Sequence, residues 1–442
     1  MRFGVLVTLL GSALVAPLLL GWWFVGPARP WRDELSAALA LLATAGLLLT
    51  FVLSGRLRAV SGRIGIDRTL RWHQVLAWVL LAALVVHPWL YTTPSGAAFH
   101  RPDDLTNAGT LGIATNSLVT GWLALLGLAL MAVTGRGRDQ LPYRYEAWRL
   151  AHGVGAAMVA GLAVHHTLEA GRYAAHPVVA GSILALLGLA LGTVLYVRLV
   201  KPFLLRRLPW RVASVRNVAE RLWQVVLEPV GHAGLAFNAG QFAWLRLDRG
   251  PFNINEHPFT IASAPDPQGR LGFLIRQAGD FTSTVGALPP GAPAYVDGPH
   301  GTLTLQGHNA PGVVFLCGGA GIAPAMAMLR DAARHPETAP PMLLLYGNQN
   351  QAQIGLPDEL DALSRTLKLE VVHVLAEPPP GWTGEVGVLG EALLRRRCAG
   401  AVQQGWLFVV CGSSGMLHAV NRTLRAMGVA EERIMAERFS YD

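Results

Sequence analysis

Charged residues are scarce in this chain: they make up 14% of its 442 residues, whereas 52% are hydrophobic. Because a wholly soluble protein carries more charge, the shortage excludes that class. The hydrophobic excess is confined to residues 1–200, which hold the long uncharged runs. Residues 208–442 have the mixture of strands, turns and helices that is typical of soluble domains. The sequence therefore predicts a membrane half followed by a globular half.

Cysteine is also rare, which limits the kinds of metal site that the chain can form. Cys317, Cys398 and Cys411 lack the paired or clustered spacing of zinc and iron–sulfur ligands, so we expect no thiol-bound metal. The sequence has no EF-hand pattern, so we expect no calcium regulation. The net charge of +8 does not indicate nucleic-acid binding, because the basic residues form short clusters beside apolar runs.

Six apolar segments are long enough to cross a bilayer, which takes about 20 helical residues for about 30 Å of hydrocarbon. They cover residues 3–25, 35–53, 75–91, 118–133, 150–168 and 178–200. The connections after the second, fourth and sixth segments are rich in arginine, which predicts that they are cytoplasmic. The globular half then lies in the cytoplasm, and the protein is a multi-pass protein of the plasma or inner membrane.

Histidines recur in the third and fifth segments, where an unpaired polar group is unfavourable unless it has a function. His73 and His87 are fourteen residues apart, which puts both rings on one helix face, about 21 Å apart along the axis. His152 and His166 have the same separation, whereas His165 lies about 140° off that face and needs a local helix distortion. The pattern predicts two stacked bis-histidine haem sites, with His165 and His166 as rival ligands in the outer one.

Residues 208–308 alternate with period two between turn residues, which predicts a small antiparallel β-barrel. Three segments offer what a flavin needs: an apolar wall, a hydroxyl near its reactive nitrogen and donors for its pyrophosphate. We expect Phe259 and Thr260 to face the flavin, Arg276 to neutralise a phosphate, and Thr282 and Ser283 to open a helix whose amides meet the pyrophosphate. The segments are His257-Pro258-Phe259-Thr260-Ile261-Ala262-Ser263, Gly279-Asp280-Phe281-Thr282-Ser283 and Gly298-Pro299-His300-Gly301.

Residues 309–442 alternate strands and helices, which predicts a doubly wound nucleotide-binding domain. A first glycine-rich turn lets backbone amides approach a pyrophosphate at a helix start, and a second follows a later strand. The turns are Cys317-Gly318-Gly319-Ala320-Gly321-Ile322-Ala323-Pro324 and Val410-Cys411-Gly412-Ser413-Ser414-Gly415-Met416. Residues 346–351 lack the Arg or Lys that a 2′-phosphate favours, so NADH is expected to serve as well as NADPH unless Arg365 or Lys368 reaches the phosphate.

The membrane half resembles the ferric reductase and NADPH oxidase superfamily, and the resemblance extends over nearly the whole chain. It is carried by Trp72-His73-Gln74-Val75-Leu76-Ala77-Trp78 with His87, and by Ala151-His152 with Leu162-Ala163-Val164-His165. The family's fifth helix has the spacing of thirteen, so the resemblance implies His73, His87, His152 and His165 as haem ligands. Residues 257–263 resemble the flavin-binding signature of ferredoxin-reductase-type domains.

The resemblance also assigns residues to the reductase cofactors. It implies Cys411 beside the nicotinamide, although Ser413 stands where the family usually has Pro, and an aromatic ring over the flavin, Phe439 or its rival Tyr441. Thr260, Cys411 and Phe439 are then the expected catalytic residues. The expected FAD and nucleotide contacts are His257, Pro258, Phe259, Thr260, Ser263, Arg276, Gly279, Thr282, Ser283, Gly318, Gly319, Gly321, Ile322, Pro324, Cys411, Gly412, Met416 and Phe439.

The expected fold is a six-helix transmembrane haem bundle (1–200), a flavin-binding β-barrel (208–308) and a doubly wound NAD(P)-binding domain (309–442). The resemblance implies that the protein carries electrons from cytoplasmic NADPH or NADH through FAD and two haem b groups to an acceptor on the outer side. Dioxygen, giving superoxide, is favoured, and a ferric chelate is also compatible. An alternative is electron donation to a quinone or partner protein. Besides the lipid bilayer, the sequence indicates no obligatory protein partner and no nucleic acid.

Overall fold

The structure, a computed structural model, describes residues 3–26, 31–54, 56–92 and 115–437. The chain divides into two compact units, Met1–Lys201 and Pro202–Asp442. The first unit is helical, and the second contains two six-stranded sheets. Phe439 and Tyr441, the two candidate aromatic rings for the flavin, lie outside the described residues.

The first unit confirms the six predicted spans. Six helices among the described residues are long and apolar enough to cross a membrane. The helices are α1 (Phe3–Phe24), α2 (Trp31–Thr50), α3 (Arg58–Ile64), α4 (Ile66–Thr92), α5 (Thr115–Arg136), α6 (Tyr145–Ala170), α7 (Pro177–Leu195) and α8 (Lys201–Arg206). A π-helical turn, Tyr196–Val200, joins α7 to α8, so the sixth span runs on through α8. The short helix α3 is not among the spans.

Glycines bring the helices of the bundle close together. A Cβ at Gly46 of α2 would lie 2.7 Å from Cδ2 of Leu80 on α4, and one at Gly127 of α5 would lie 2.7 Å from Cγ2 of Val159 on α6. Small residues favour close packing in a membrane, where lipid offers no hydrophobic driving force for helix association. The buried hydroxyls of Thr44 and Thr167 are 3.0 Å apart and link α2 to α6.

The first sheet of the second unit is the predicted antiparallel barrel. Its strands are β1 (Trp210–Ala219), β2 (Leu222–Pro229), β3 (Phe242–Leu247), β4 (His257–Thr260), β5 (Leu271–Arg276) and β6 (Pro293–His300), in the order β4-β3-β6-β1-β2-β5. An antiparallel bridge between Ile261 and Phe273 links the two ends of this order and so closes the barrel. Its interior is filled by apolar side chains that include Val225, Leu245 and Phe273. A short helix, α9 (Asp280–Ser283), follows β5.

The second sheet has the predicted doubly wound topology. Its strands are β7 (Val313–Gly318), β8 (Met342–Asn348), β9 (Leu369–Leu375), β10 (Glu385–Val386), β11 (Leu407–Cys411) and β12 (Ile434–Ala436), all parallel and in the order β10-β9-β8-β7-β11-β12. Its helices are α10 (Ile322–Ala332), α11 (Pro357–Thr366), α12 (Glu391–Gln403) and α13 (Ser414–Ala426). The strand order reverses between β7 and β11, which is where such sheets bind ligands.

Candidate functional site

Two histidine pairs lie between α4 and α6, at two levels of the helix bundle. The ring centroids of His73 and His152 are 6.4 Å apart, and those of His87 and His166 are 6.2 Å apart. Two metal–imidazole bonds of about 2 Å each, with the ring radii added, account for a separation of about 6 Å. Each pair is therefore spaced to hold one metal ion between its two rings.

The outer pair corrects the expected ligand His165. Helix α6 is regular from Tyr145 to Ala170, so the distortion that His165 needs to reach the shared face is not formed. His165 is exposed, and its Nδ1 lies 3.1 Å from Oγ1 of Thr120 on α5. The residue that faces His87 is His166, as the spacing of fourteen on an ideal helix requires.

Backbone carbonyl groups fix the orientation of three of the four paired rings. Nδ1 of His73 lies 3.1 Å from the Thr50 carbonyl, and Nδ1 of His87 lies 3.0 Å from the Ser36 carbonyl. Nδ1 of His166 lies 2.7 Å from the Ser117 carbonyl. Since a carbonyl only accepts, Nδ1 carries the proton in each ring, and Nε2 is left with the lone pair that binds metal. The fourth ring, His152, packs on Trp148 at 5.0 Å.

A cavity with mostly apolar walls surrounds His87 and His166. Gly121 makes room for one ring, because a Cβ there would lie 2.7 Å from Nδ1 of His166. Arg172 adds a positive charge to the lining. Among the residues that the structure describes, no group of three or more His, Cys, Asp or Glu is arranged around a metal position. Paired histidines in an apolar cavity therefore fit a metal whose other ligands come from a prosthetic group, as in haem.

Strand β4 presents the first part of the predicted flavin site. The ring of His257 lies 4.3 Å from that of Phe281, and the rings of Phe259 and Phe281 stack at 6.1 Å. Thr260, at the end of the strand, is buried. Oγ of Ser263 accepts a hydrogen bond of 3.0 Å from the Gly272 amide, so this hydroxyl holds the barrel together. The structure thus brings Phe281, which the sequence had not singled out, into an aromatic cluster with His257 and Phe259.

The predicted helix start at Thr282 and Ser283 is wrong. Helix α9 begins at Asp280 and ends at Ser283, so both residues close a single turn rather than open a helix. Oγ1 of Thr282 already accepts hydrogen bonds from the amides of Ala278 (2.9 Å) and Gly279 (3.0 Å). Four residues between turn-forming residues are too few for apolar periodicity to locate a helix.

Arg276, the last residue of β5, reaches the first glycine-rich turn. Gly319 has a φ of +53°, and a Cβ there would lie 3.1 Å from Nη1 of Arg276. The guanidinium group therefore lies beside a turn that precedes the N-terminus of α10, where backbone amides and the helix dipole attract anions. The structure thus brings together Arg276, which was predicted for a flavin phosphate, and the turn that was predicted for the pyrophosphate of the nucleotide-binding domain.

The two glycine-rich turns pack against each other at the carboxyl ends of β7 and β11. A Cβ at Gly321 would lie 2.3 Å from the carbonyl oxygen of Cys411. Cβ atoms at Gly318 and Gly412 would lie 2.7 and 2.6 Å from Sδ of Met416, so that side chain fills the space between the turns. Oγ of Ser413 accepts from the Met416 amide and caps α13, which gives this departure from the family's Pro a structural role. Ile322 and Pro324 are buried in the first turn of α10.

Cys411 and Cys317 are direct partners on the adjacent strands β11 and β7. Both are buried, and burial raises the pKa of each thiol well above its usual value. Both thiols therefore stay protonated at neutral pH, which fits a packing role beside a cofactor rather than nucleophilic attack. The carboxylate of Glu437 raises the pKa of Cys411 further. Sequence reasoning missed this buried carboxylate, because it had considered only the aromatic residues of the same terminal segment.

The structure also decides whether Arg365 or Lys368 can reach a 2′-phosphate at the carboxyl ends of β8 and β9. Lys368 lies at the opposite edge of the sheet, where its carbonyl accepts from the Met342 amide at the start of β8. Arg365, near the end of α11, precedes it by three residues. Strand β8 puts about 20 Å between that edge and Gln349, so neither cation reaches a 2′-phosphate there. Instead, Nε2 of Gln349 donates to Oε1 of Glu377 at 2.6 Å.

Two families match separate parts of the chain. Residues 39–163 match the ferric reductase like transmembrane component, and residues 315–422 match the oxidoreductase NAD-binding domain. NADH-cytochrome b5 reductase 1 of Dictyostelium discoideum is 28% identical over 180 residues, which are 40% of this chain and 63% of that protein. Nitrate reductase (NADPH) of Emericella nidulans is 27% identical over 198 residues, which are 40% of this chain and 23% of that protein.

The chain thus spans less than two thirds of the length of these relatives. Among solved structures, flavohemoglobin from Malassezia yamatoensis with bound FAD and heme is similar, with a TM-score of 0.50 and 17% identity. That likeness covers 93% of this chain and 99% of the flavohemoglobin, and at this identity it shows the fold alone. The two matched families confirm the predicted combination of a membrane component with a reductase module.

Proposed function

Since the chain has the domain combination of the ferric reductase and NADPH oxidase superfamily, we propose that it carries electrons across a membrane. They pass from NADH or NADPH through FAD and two b-type haems to an acceptor on the outer side, with dioxygen reduced to superoxide. The observation that supports this most directly is the two stacked histidine pairs, 6.4 and 6.2 Å between ring centroids, in a chain that also has a nucleotide-binding domain.

His73 with His152 would hold the inner haem, and His87 with His166 the outer one. When bound, these groups supply one-electron carriers inside the bilayer. The chain's own part is to present Nε2 of each ring, with Nδ1 of His73, His87 and His166 held by backbone carbonyls. His87 and His166 would both be used to hold the outer haem, which would supply single electrons to the acceptor.

In the reductase unit, we propose that β4 and Phe281 form one wall of the flavin site, with Thr260 at the ring. Arg276 and the amides that follow Gly319 would neutralise and bind pyrophosphate. Met416 and the buried thiol of Cys411 would shape the nicotinamide side of the sheet, where they exclude water. FAD, when bound, converts the two-electron donor into a supply of single electrons.

The arginines in the connections that follow α2, α5 and the sixth span support a cytoplasmic reductase unit, because loops rich in arginine stay on that side. Nucleotide oxidation would then take place in the cytoplasm and acceptor reduction at the opposite face of the plasma or inner membrane. A ferric chelate is the second candidate acceptor, favoured by the match of residues 39–163 to the ferric reductase like component. Neither acceptor needs a protein partner.

Spectra of the detergent-purified protein test this function. Under anaerobic conditions, NADH or NADPH should bleach the flavin band and produce the spectrum of reduced haem b. Admitting air should then reoxidise the haem with formation of superoxide, detected by its sensitivity to superoxide dismutase. Reduced haem that persists in air but is oxidised by a ferric chelate would identify a metal reductase. A protein that contains no haem, or haem that nucleotide does not reduce, would refute the proposed electron path.

A further inference from the structure

A loop of the barrel contacts the helix that ends the last membrane span. The sixth span runs to Arg206, so all of α8 belongs to it. Phe203 of α8 is 55% exposed, and its ring lies 4.8 Å from the ring of Phe252, which is 45% exposed in the connection between β3 and β4. Both residues belong to the second unit. A side chain of the barrel therefore touches a residue that lies within the length of a membrane span.

Three more apolar residues extend this surface. Leu204 and Leu208 follow Phe203 in the chain, and both are exposed. The amide of Val230, another exposed residue, donates to the Pro209 carbonyl at 3.0 Å, so the residue after β2 lies next to the chain that leaves α8. Neighbouring apolar side chains that are exposed together mark a surface that binds protein or membrane. We call these residues the interface patch: Phe203, Leu204, Leu208, Val230 and Phe252.

The connection between β3 and β4 holds Phe252 in a fixed turn. The Asn253 amide donates to the Gly250 carbonyl at 3.1 Å, and Phe252 lies at the tip of the turn that this bond closes. Nε of Arg246 donates to the Asn253 carbonyl at 3.0 Å, and the same guanidinium forms a buried ion pair with Glu256. Because the turn is tied to this buried pair, Phe252 loses little conformational freedom when it binds a surface.

Arginines surround the interface patch. Arg206 and Arg207 lie between Leu204 and Leu208 in the chain, and Arg249 lies in the same connection as Phe252. All three arginines are exposed, as is Asp248 beside them, so positive charge exceeds negative charge here. Apolar side chains with basic neighbours are the combination that binds an anionic bilayer surface, where the rings enter the headgroup region and the cations meet phosphates.

We propose that the interface patch anchors the barrel to the bilayer surface at which the sixth span ends. Phe203 and Phe252 enter the boundary between headgroups and acyl chains, and Arg249 binds the phosphate of an anionic phospholipid. The bilayer is the partner, because α8 is part of a membrane span and any protein on the patch would have to displace lipid from Phe203. The patch is separate from the histidine pairs and the glycine-rich turns and does not depend on the proposed electron path.

The test is spin labelling of the full-length protein in vesicles of phosphatidylcholine and phosphatidylglycerol. Since Cys317, Cys398 and Cys411 are buried, a nitroxide should react selectively at Gly250→Cys, where a Cβ meets nothing within 4 Å. We expect this label to collide more with oxygen, which concentrates in lipid, than with a water-soluble nickel complex. A label at Glu220→Cys, which follows the far end of the ten-residue strand β1, about 30 Å from α8, should show the reverse.

Further variants of the labelled Gly250→Cys protein separate the two parts of the anchor. Phe252→Ser should shift the label toward the nickel complex, whereas Val388→Ser, which removes a 72% exposed apolar side chain after β10, should not. In the mixed vesicles, Arg249→Ala should lower the ratio of lipid-facing to water-facing label about fivefold, the effect of about 1 kcal/mol for one basic residue near an anionic surface. It should change nothing in phosphatidylcholine alone. Arg422→Ala, at an exposed position on α13, is the matched control.

Four results would each overturn the proposal. The first is equal preference for the nickel complex at Gly250→Cys and Glu220→Cys. The second is protection of the Gly250→Cys label from both reagents, which would mean that protein covers the patch. The third is an unchanged label after Phe252→Ser, and the fourth is equal loss in Arg249→Ala and Arg422→Ala. If Phe252→Ser does not purify as a folded protein, the comparison of the two arginine variants decides.

Discussion

At the scale of single residues, the choice between two adjacent histidines determines the outer metal site. His166 faces His87 with its Nδ1 held by the Ser117 carbonyl, whereas His165 is turned toward Thr120. His166→Ala should therefore lower the haem content of the purified protein to about half, because one of two bis-histidine sites is lost. His165→Ala, the matched control, should keep the full content. A pyridine haemochrome assay gives both values, and the opposite result would restore His165 as the ligand.

The sequence predicted both candidates, and geometry alone favoured His166. The family spacing had favoured His165, which needs a distorted helix that α6 does not have. Helix periodicity therefore located the site to within one residue. Phe281 was expected as part of a segment but not as a ring of the aromatic cluster. Its contact with His257 joins the short strand β4 to the single helical turn α9, which are well separated in the sequence. Contacts of that kind leave no periodic pattern in a sequence.

Glu377 is the residue that we expect to lower the preference for NADPH relative to NADH. Its carboxylate accepts from Gln349 at the edge of the sheet where the nucleotide ribose is expected, and an acidic group there favours a 2′-hydroxyl over a 2′-phosphate. Glu377→Gln should raise kcat/KM for NADPH about fivefold relative to NADH, the effect of about 1 kcal/mol of charge repulsion in water. Glu391→Gln, which removes an exposed carboxylate on α12, is the control. An unchanged ratio of the two kcat/KM values would contradict this role.

A buried thiol makes the reductase unit sensitive to alkaline pH. Burial raises the pKa of Cys398 to about 12, whereas the unfolded thiol ionises near its ordinary value. The resulting stability is fully present below about pH 9 and is lost as the pH rises toward 12, by about 1.4 kcal/mol per pH unit at most. Thermal unfolding between pH 8 and 11 should show this loss, and Cys398→Ala should remove the share that Cys398 contributes, while the buried thiols of Cys317 and Cys411 keep theirs. Parallel curves for both proteins would assign the loss to other groups.

At the scale of elements, close packing of α5 on α6 determines where the outer histidine lies. Gly121 leaves space for the His166 ring, which a Cβ would approach to 2.7 Å. Gly121→Ala should push the ring out of line with His87 and cost about 1–3 kcal/mol, the usual range for overpacking. We expect partial loss of outer haem and a lower melting temperature. Gly181→Ala on α7, where a Cβ meets nothing within 4 Å, should change neither.

The elements that the sequence predicted well are those with a long repeating pattern. The six spans and the alternation of strands and helices in residues 309–442 were confirmed, because a run of apolar residues defines each span and each of the strands β7, β8 and β9. The single turn of α9 was misplaced, and the two-residue strand β10 and the three-residue strand β12 are as short. Such short elements form where neighbouring strands and loops complete their hydrogen bonds, and their own sequence carries no period that reveals them.

At the scale of the whole molecule, the two units should separate nucleotide oxidation from acceptor reduction. The histidine pairs lie in Met1–Lys201, and the flavin and nucleotide residues lie in Pro202–Asp442. His73→Ala should therefore abolish NADH-driven reduction of the outer acceptor, while NADH oxidation with ferricyanide, which takes electrons from a flavin directly, should stay near its original rate. Reconstituted vesicles with acceptor only on the far side provide the first measurement, and a detergent assay provides the second.

Arg276→Ala should give the reverse pattern of defects. This side chain lies beside Gly319 in the reductase unit, so its loss should lower flavin content and both activities together, while the haem spectrum after chemical reduction stays unchanged. If His73→Ala also lost ferricyanide activity with its flavin content intact, the histidines would affect nucleotide oxidation itself. The two units would then not divide the reaction in the way that their separate residues imply.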